Sequence, residues 1–290
     1  MRNLPLRLLG TTIPLLLAAL GAAQEIRYTR FSVPNSVSTT ALGINNAGDV
    51  VGFYDGKTES GGFVYEDGQF SNLEDPEQAM PGSTFPKAIN SAREIVGAYS
   101  IGGNQQRAFL YTAGKFGDLQ IPAPHFDSEA DGINNLGQIV GMYNDGHLWH
   151  GYLYDRNSGA FATIDVPGAH YTWCDGINDS GLIALTSEDT AQSYQHAWLY
   201  DGRNLTNIDV PGYDGSTVEG INNNGAVTLV ASKGLDDYGF VYQAGQYTAV
   251  DFPGTLSNSL GRINDHGALV GNFFLSESAQ GAFLAELPPQ

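Results

Sequence analysis

The chain of 290 residues has one cysteine, Cys174, and only 13 lysines and arginines against 31 aspartates and glutamates, a formal net charge of −18. A single cysteine excludes an intramolecular disulfide framework, so the fold depends on a packed core. The shortage of basic residues speaks against nucleic acid and anionic membrane surfaces as partners, because phosphate binding depends on clustered Lys and Arg. We expect Cys174 to be a buried apolar residue rather than a nucleophile.

The sequence also lacks a helical period and the short motifs of known catalytic sites. No GxSxG, HExxH or GxxxxGK sequence occurs, so no nucleophile, zinc site or phosphate loop is indicated. The chain instead contains 37 glycines, 15 tyrosines and 14 phenylalanines, which favours short strands joined by tight turns. We expect an all-β protein.

Residues 1–23 have the layout of a cleaved secretory signal. Two arginines precede an apolar stretch that ends in small residues, as in signal peptides. Thr11, Thr12 and Pro14 interrupt the stretch, and a membrane-spanning helix needs about 20 apolar residues. We therefore expect residues 24–290 to form one mature domain, monomeric and without membrane insertion after cleavage. It would be secreted, periplasmic or held at the cell surface.

One phrase, typified by Gly-Ile-Asn-Asn-x-Gly, occurs six times. A repeat of about 40 to 50 residues is typical of one four-stranded blade of a β-propeller. The phrase predicts a tight turn between the first two strands of a unit, because Asn and Gly tolerate positive φ. Its isoleucine, which we use as a marker, recurs at 42- to 45-residue steps as Ile44, Ile89, Ile133, Ile177, Ile221 and Ile263.

The two ends of the chain predict how the ring closes. Residues 27–34 (RYTRFSVP) match the fourth strand of internal units, such as residues 246–253 (QYTAVDFP), whereas the last unit stops after three strands. Pairing the first strand with the last would remove two exposed sheet edges. We expect a six-bladed β-propeller with four antiparallel strands per blade, in which the N-terminal strand completes the last blade.

The units resemble those of the HAF family of bacterial extracellular repeat proteins. The resemblance rests on HAW from His196 and HGY from His150 in the third strand, and on the shared phrases GIN(N/D)xG and IDVPG. It covers nearly the whole mature chain. It implies an exported bacterial protein of β-propeller-like repeats, without a defined activity. Only two of six units keep the histidine, so a metal ring formed by it would be incomplete.

A small polar residue stands five positions before every marker isoleucine. The residues are Thr39, Thr84, Ser128, Thr172, Ser216 and Asn258. Because this choice recurs in every unit, we expect a structural role, in which the side chain satisfies backbone groups of a neighbouring loop.

The loops predict which face of the ring binds a ligand. We label the strands of a unit a to d in chain order. In a propeller the a–b and c–d turns lie on one face and the d–a and b–c loops on the other. Here the first set is short and repeated, while the second set varies. Binding residues tend to lie on variable loops of a rigid scaffold, so we expect a site on the d–a/b–c face near the channel mouth.

The richest part of that face lies between units three and four, where residues 144–175 hold two of the three tryptophans and three of the six histidines. Aromatic rings beside hydrogen-bonding groups suit an amphipathic ligand such as a glycan, and the ligand could also be a surface or other extracellular protein. The alternative is chance clustering, with Trp173 packed between blades. The candidate ligand-binding residues are His147, Trp149, His150, His170, Tyr171, Trp173 and Asp175.

A second candidate is the position two residues before the marker, which holds Asp131, Asp175 and Glu219 in three successive units. If strand a is innermost, these acids face the channel. Clustered carboxylates raise one another's pKa or attract a hard cation such as calcium, and a pair could act as acid and base in glycan cleavage. No calcium-loop sequence accompanies them, and solvated acids or a salt bridge to Lys87 would also explain them.

Three functions stay open from the sequence. The first is a non-enzymatic exported propeller that binds a ligand on its d–a/b–c face. The second is a carbohydrate-active hydrolase or lyase that uses the three acids. The third is a structural or adhesive surface protein. None of the three requires a cofactor, apart from calcium in the case of an acidic site.

Overall fold

The computed structural model describes residues 25–121, 126–189, 194–255, 257–276 and 279–288. These residues form 24 β-strands in six four-stranded sheets. Neighbouring strands within each sheet are antiparallel, as in β1 with β24 and β2 with β3. The predicted six-bladed propeller is therefore confirmed. Within the described ranges, no helix is suited to crossing a membrane. The expected secretory signal, residues 1–23, lies outside the described residues.

The six blades follow one another along the chain, with strand a at the centre and strand d outermost. Blade 1 contains β2 (Ser36–Ile44), β3 (Val50–Gly56), β4 (Gly61–Glu66) and β5 (Gln69–Leu73). Blade 2 contains β6 (Thr84–Ile89), β7 (Ile95–Gly102), β8 (Gln105–Thr112) and β9 (Lys115–Asp118). Blade 3 contains β10 (Asp127–Ile133), β11 (Gln138–Asn144), β12 (Trp149–Asp155) and β13 (Ala160–Ile164). Blade 4 contains β14 (Tyr171–Ile177), β15 (Ile183–Glu188), β16 (Gln195–Tyr200) and β17 (Leu205–Asn207). Blade 5 contains β18 (Gly215–Ile221), β19 (Val227–Lys233), β20 (Asp236–Gln243) and β21 (Gln246–Ala249). Blade 6 contains β22 (Ser257–Ile263), β23 (Ala268–Ser276), β24 (Ala279–Glu286) and β1 (Arg27–Phe31).

Strand β1 completes blade 6, as the sequence predicted. It pairs with β24 in antiparallel register, with Arg27 opposite Glu286, and the strand order of this sheet is β1-β24-β23-β22. The ring of Tyr28 lies 5.3 Å from that of Phe252 and 5.8 Å from that of Phe283. The first described strand is thus bound both to the sheet edge and to the aromatic core beside it.

Apolar clusters between neighbouring blades hold the ring together. One of them joins Val96 of blade 2 to Ile139 and Tyr152 of blade 3. The aromatic residues of strand c belong to these clusters, and the side chains of Phe63 and Phe109 are fully buried. Both faces of a blade are therefore covered by protein, which a two-sided apolar sheet requires.

The repeated asparagine after the marker isoleucine links each blade to the next. In blade 4 the Oδ1 atom of Asn178 accepts backbone N–H groups of Ser180 (3.1 Å) and Leu182 (3.0 Å), which closes the a–b turn. Its Nδ2 group donates to the carbonyl of Asn222 in blade 5 at 3.2 Å. The same bond from side-chain amide to next carbonyl runs around the closed ring through Asn45, Asn90, Asn134, Asn178, Asn222 and Asn264.

In blades 1 to 5 the small polar residue at the entrance of strand a has the expected structural role, whereas in blade 6 the buried Oδ1 atom of Asn258 has no partner among the described residues. In blade 4 the hydroxyl of Thr172 accepts the backbone N–H of Val166 at 3.0 Å, and in blade 5 Ser216 binds the N–H of Val210 at the same distance. Thr39, Thr84 and Ser128 also accept backbone N–H groups. These hydroxyls therefore fix the d–a connection.

Every inner strand has a β-bulge just before the marker isoleucine. In blade 4, Cys174 pairs with Leu185 and Gly176 with Ala184, so Asp175 is the extra residue of the strand. A bulge re-aims the side chain of the extra residue. The irregularity falls at Leu42, Lys87, Asp131, Asp175, Glu219 and, in blade 6, at Gly261 and Arg262.

Candidate functional site

The bulged residues surround a cavity of about 160 Å³ in the central channel. The three acids predicted from the repeat, Asp131, Asp175 and Glu219, all border this one cavity. They do not lie in separate layers between blades. The complete lining is Leu42, Lys87, Asp131, Asp175, Val218, Glu219, Gly261 and Arg262.

The two ends of the channel differ in construction. Towards the a–b face the marker isoleucines and the repeated asparagines enclose a space of about 70 Å³. Towards the d–a face lie the residues four positions before the marker, which include the half-buried Phe85, Glu129 and Trp173. Charged and aromatic side chains are therefore concentrated on the side that the variable loops surround.

Lys87 forms the charged centre of the cavity wall. Its Nζ atom contacts the carboxylate of Glu129 and lies 2.7 Å from Asp131 Oδ1. Burial opposes the charge of the ammonium group, but Asp131 and Glu129 together hold the pKa of Lys87 above its ordinary value. The salt bridge between Lys87 and Asp131, which the sequence offered as one explanation for this acid, is present.

The second carboxylate oxygen of Asp131 has no hydrogen-bond partner among the described residues. Asp131 is only 7% exposed, its Oδ2 atom is buried, and the residue borders the cavity. A buried acceptor left without a partner costs about 1–3 kcal/mol. The cavity thus offers a hydrogen-bond acceptor that the folded chain itself does not use.

Burial raises the pKa of the other two acids. For Asp175 the nearby Asp131 adds to this effect and holds the pKa well above its ordinary value, although the carboxylate accepts a hydrogen bond from Thr186 at 2.8 Å. Burial raises the pKa of Glu219 to about 7, against the opposing charge of Arg262. The net charge of the cavity therefore changes near neutral pH.

Arg262 extends its side chain across the inner strands of two neighbouring blades. Its Nε atom donates to the carbonyl of Lys87 at 3.1 Å. A Cβ atom placed on Gly220 would lie 2.8 Å from Arg262 Cγ, and one on Gly176 would lie 3.3 Å from Arg262 Nη1. The absence of side chains at these two glycines therefore makes room for the arginine.

Sequence reasoning missed Arg262 as a cavity residue and Glu129 as a partner of Lys87. The signal for Arg262 was present, because the other five units have a small residue immediately before the marker: Gly43, Ala88, Gly132, Gly176 and Gly220. A single arginine at a position otherwise occupied by Gly or Ala is an exception that marks Arg262, whose side chain lies beside Gly176 and Gly220. Glu129 had no comparable signal, since its position varies freely among the units.

Three predicted ligand-binding residues form a stacked group at the entrance of blade 4. The ring centroids of Tyr171 and Trp173 are 6.1 Å apart in a stacked arrangement, and His170 lies edge-on to Tyr171 at 4.1 Å. All three side chains are half-buried. Trp173 precedes Asp175 by two residues on β14, so this group adjoins the strand that supplies the cavity with an acid.

Three further predicted ligand-binding residues, His147, Trp149 and His150, lie at the β11–β12 hairpin of blade 3. His147 is exposed at the tip, and Trp149 is half-buried at the start of β12. His150 Nδ1 lies 3.0 Å from Asp165 Oδ1, and its ring packs 5.3 Å from that of Tyr143. Among the described residues, the ring contacts of the two groups are separate, so the structure does not merge them into one aromatic platform.

The histidines of the HAF-like tripeptide contact carboxylates in the loop that follows strand d. His196 Nδ1 lies 2.8 Å from Asp209 Oδ2, as His150 does with Asp165. In the part of the chain that the structure describes, no three or more His, Cys, Asp or Glu side chains are arranged to hold a metal ion. These histidines therefore connect strand c to the loop after strand d.

Cys174 lies on β14 between Trp173 and Asp175 but faces the core. It is fully buried, and burial raises the pKa of its thiol well above the ordinary value. A thiol that resists ionisation is a poor nucleophile. The prediction that Cys174 is a buried residue is therefore confirmed.

Known structures resemble the fold of this chain, although no protein-family profile and no curated protein sequence matches it. A TolB candidate from Agrobacterium tumefaciens has a TM-score of 0.59 at 12% identity, with 91% of this chain and 98% of that chain covered. The lectin SapL1, solved with alpha methyl fucoside, has a TM-score of 0.53 at 11% identity, covering 88% and 98%. A gluconolactonase from Xanthomonas campestris has a TM-score of 0.50 at 12% identity, covering 93% and 99%. At these identities the likeness shows the propeller fold.

Proposed function

We propose that this protein is an exported, non-enzymatic binding propeller that holds the end group of a glycan, free or on a surface protein, in its central channel. The glycan enters from the d–a/b–c face, and the loops around Trp173 contact the rest of it. The observation that carries this proposal is Asp131, which borders the cavity and whose buried Oδ2 atom has no hydrogen-bond partner among the described residues. The resemblance to HAF repeats supports export, and the lectin SapL1 is an example of this fold solved with a sugar.

The position of the charged residues supports a binding role over a purely structural one. The ring is built by features that recur in every unit, such as the asparagine bonds and the packed strands. The bulged position departs from this regularity, since it holds a lysine, two aspartates and a glutamate beside a leucine and a glycine. A ring with no ligand has no need to bury four ionisable groups at its centre, because each burial is costly.

The size of the cavity favours binding over glycan cleavage. Its volume of about 160 Å³ is close to that of an engineered cavity of about 150 Å³ that holds benzene. The cavity therefore takes a group of about six heavy atoms, which is part of one sugar unit. A glycosidase must hold the sugars on both sides of the bond that it cleaves.

A second candidate function, glycan hydrolysis, is favoured by the unequal environments of the acids. Asp131 is ion-paired with Lys87, whereas burial raises the pKa of Glu219 to about 7. Glycoside cleavage uses one ionised and one protonated carboxyl group in this way. Incubation with any glycan that binds, followed by measurement of new reducing ends, distinguishes the two functions. Turnover that is lost in Glu219→Gln would replace the binding proposal.

A glycan array probed with residues 24–290 tests the binding proposal. We expect that Trp173→Ala and Asp131→Asn each lower the signal for the bound glycan about tenfold or more, the effect of losing one stacking or charge-assisted contact. Leu136→Ala is the control, because Leu136 is an exposed apolar residue (57% exposed) in the a–b turn of blade 3, on the face opposite the proposed entrance. An array without a bound glycan, or a signal that neither site variant changes, would contradict the proposal.

A further inference from the structure

We propose that the group held in the channel is a primary ammonium, so that the ligand is a glycan containing unacetylated amino sugars. This inference rests on the proposed function and names the ligand's chemical class. It starts from the hydrogen-bonding state of each charged group at the cavity.

The two cations at the cavity are already engaged by the protein. Lys87 binds the carboxylates of Glu129 and Asp131, and Arg262 donates through Nε to the carbonyl of Lys87. An anionic ligand would have to compete with two carboxylates for Lys87. By contrast, Asp131 borders the cavity with an acceptor atom, Oδ2, that has no partner among the described residues.

An ammonium group matches these acceptors in number and charge. It has three N–H donors and no acceptor, and the cavity offers the free oxygen of Asp131 together with the carboxyl groups of Asp175 and Glu219. A hydroxyl group would supply one donor and would bring acceptor lone pairs towards these oxygens. The ligand best complementary to the wall is therefore a cation with several donors.

The charge of the whole chain acts in the same direction. The formal net charge is −18, and such an excess of acids attracts cationic ligands and repels anionic ones over distances beyond direct contact. A glycan with several free amines would be drawn to the protein and would place one amine in the channel. This gives the exported acidic surface a role in addition to solubility.

The expected affinity depends on pH in a direction that identifies the ligand charge. An ammonium pairs with the ionised form of Glu219, whose pKa is about 7, so its affinity rises as the pH approaches 7 from below. The amine of an amino sugar stays largely protonated in that range, since α-amino groups have a pKa of about 7.7–8.0. A bound carboxylate would show the opposite dependence, because protonated acids would be its hydrogen-bond donors.

Isothermal titration of residues 24–290 with glucosamine, N-acetylglucosamine and glucose tests the inference. We expect that glucosamine binds about tenfold or more tightly than the other two sugars, and that its affinity rises about tenfold between pH 5.5 and 7.0. Asp131→Asn should weaken glucosamine binding about tenfold, and Glu219→Gln should abolish the rise with pH. Asp236→Asn is the matched control, because it removes an exposed carboxylate from the b–c hairpin of blade 5.

The outcomes separate this inference from the proposed function. Equal affinity for the three sugars, or tighter binding at low pH, overturns the ammonium and leaves a glycan-binding channel. Glucosamine binding that Asp131→Asn does not change also overturns it, because the amine then binds elsewhere. A third outcome is selective glucosamine binding that Asp131→Asn weakens, together with an array that shows no bound glycan. This outcome supports the ammonium site and refutes the proposed function of glycan binding. Thermal melting of every variant checks that each is folded. Glu219→Gln leaves the ion pairs of Lys87 in place, because Lys87 pairs with Glu129 and Asp131.

Discussion

Replacing Asn178 by Ala should destabilise the propeller more than its small volume change suggests. The side chain is 4% exposed and makes four hydrogen bonds. Its Oδ1 atom accepts the N–H and the hydroxyl of Ser180 and the N–H of Leu182, and its Nδ2 group donates to the carbonyl of Asn222. The substitution removes a turn and one link of the six-bond ring together.

The magnitude follows from the groups that lose their partners. Two backbone N–H groups and one carbonyl lose this asparagine, and each buried hydrogen bond contributes about 0.5–1.5 kcal/mol net. We therefore expect a loss of about 2–4 kcal/mol in the free energy of unfolding. In a domain of this size that corresponds to a fall in Tm of about 5–15 °C.

Urea denaturation of residues 24–290 measures this loss, and two further variants locate its cause. Asn204→Ala removes an exposed asparagine from the c–d turn of the same blade and should change stability by less than about 0.5 kcal/mol. Asn178→Asp keeps the acceptors of the turn but places an oxygen against the carbonyl of Asn222, so it isolates the link between blades. If Asn178→Ala were no more destabilising than Asn204→Ala, the ring of asparagines would not contribute to stability.

Three further predictions concern the closure of the ring and the channel. Deletion of residues 25–34 removes β1 from blade 6 and should lower Tm strongly, so unchanged thermal melting would refute the closure by β1. Because the pKa of Glu219 is raised from 4.5 to about 7, its contribution to stability is fully present below pH 4.5 and is lost as the pH rises through 7. The free energy of unfolding of Glu219→Gln, compared with that of the unsubstituted protein, should therefore be more favourable by about 2–3 kcal/mol at pH 8 than at pH 5, as measured by urea denaturation. An equal difference at both pH values would contradict the buried acid. Gly220→Ala should destabilise the chain by about 1–3 kcal/mol because its Cβ meets Arg262, and the loss should shrink in the Arg262→Gly background; an equal loss in both backgrounds would refute this account of the arginine.

The fold could be predicted from the sequence because similar units in a ring place equivalent residues at regular intervals along the chain. The marker isoleucines gave the number of blades, and the match of residues 27–34 to a fourth strand gave the closure. The asparagine was correctly assigned to a turn. Its second bond, to the next blade, could not be predicted, because it depends on how closely neighbouring inner strands approach.

The site could be predicted only in part, and the bulge explains why. The acids at Asp131, Asp175 and Glu219 were found by their position in the repeat, and all three border the channel cavity. Glu129 was missed because its position in the repeat varies among the units, and Arg262 was missed because strict alternation along the strand would turn it away from the channel. The hairpin residues Trp149 and His150 were grouped with Trp173 by sequence proximity, whereas side-chain direction decides which rings touch.

The pairing of β1 with β24 fixes the order of events when the protein is made. The first strand of the propeller to be synthesised needs the last one as its partner, so the ring stays open until β24 has been made. At about 5–20 residues per second, the edge of β1 is without its partner for tens of seconds. A chain interrupted anywhere before β24 has five blades at most and two open sheet edges, which are sites of aggregation. The ring therefore closes only after β24 has been synthesised, so blade 6 cannot be completed before the other five have been made.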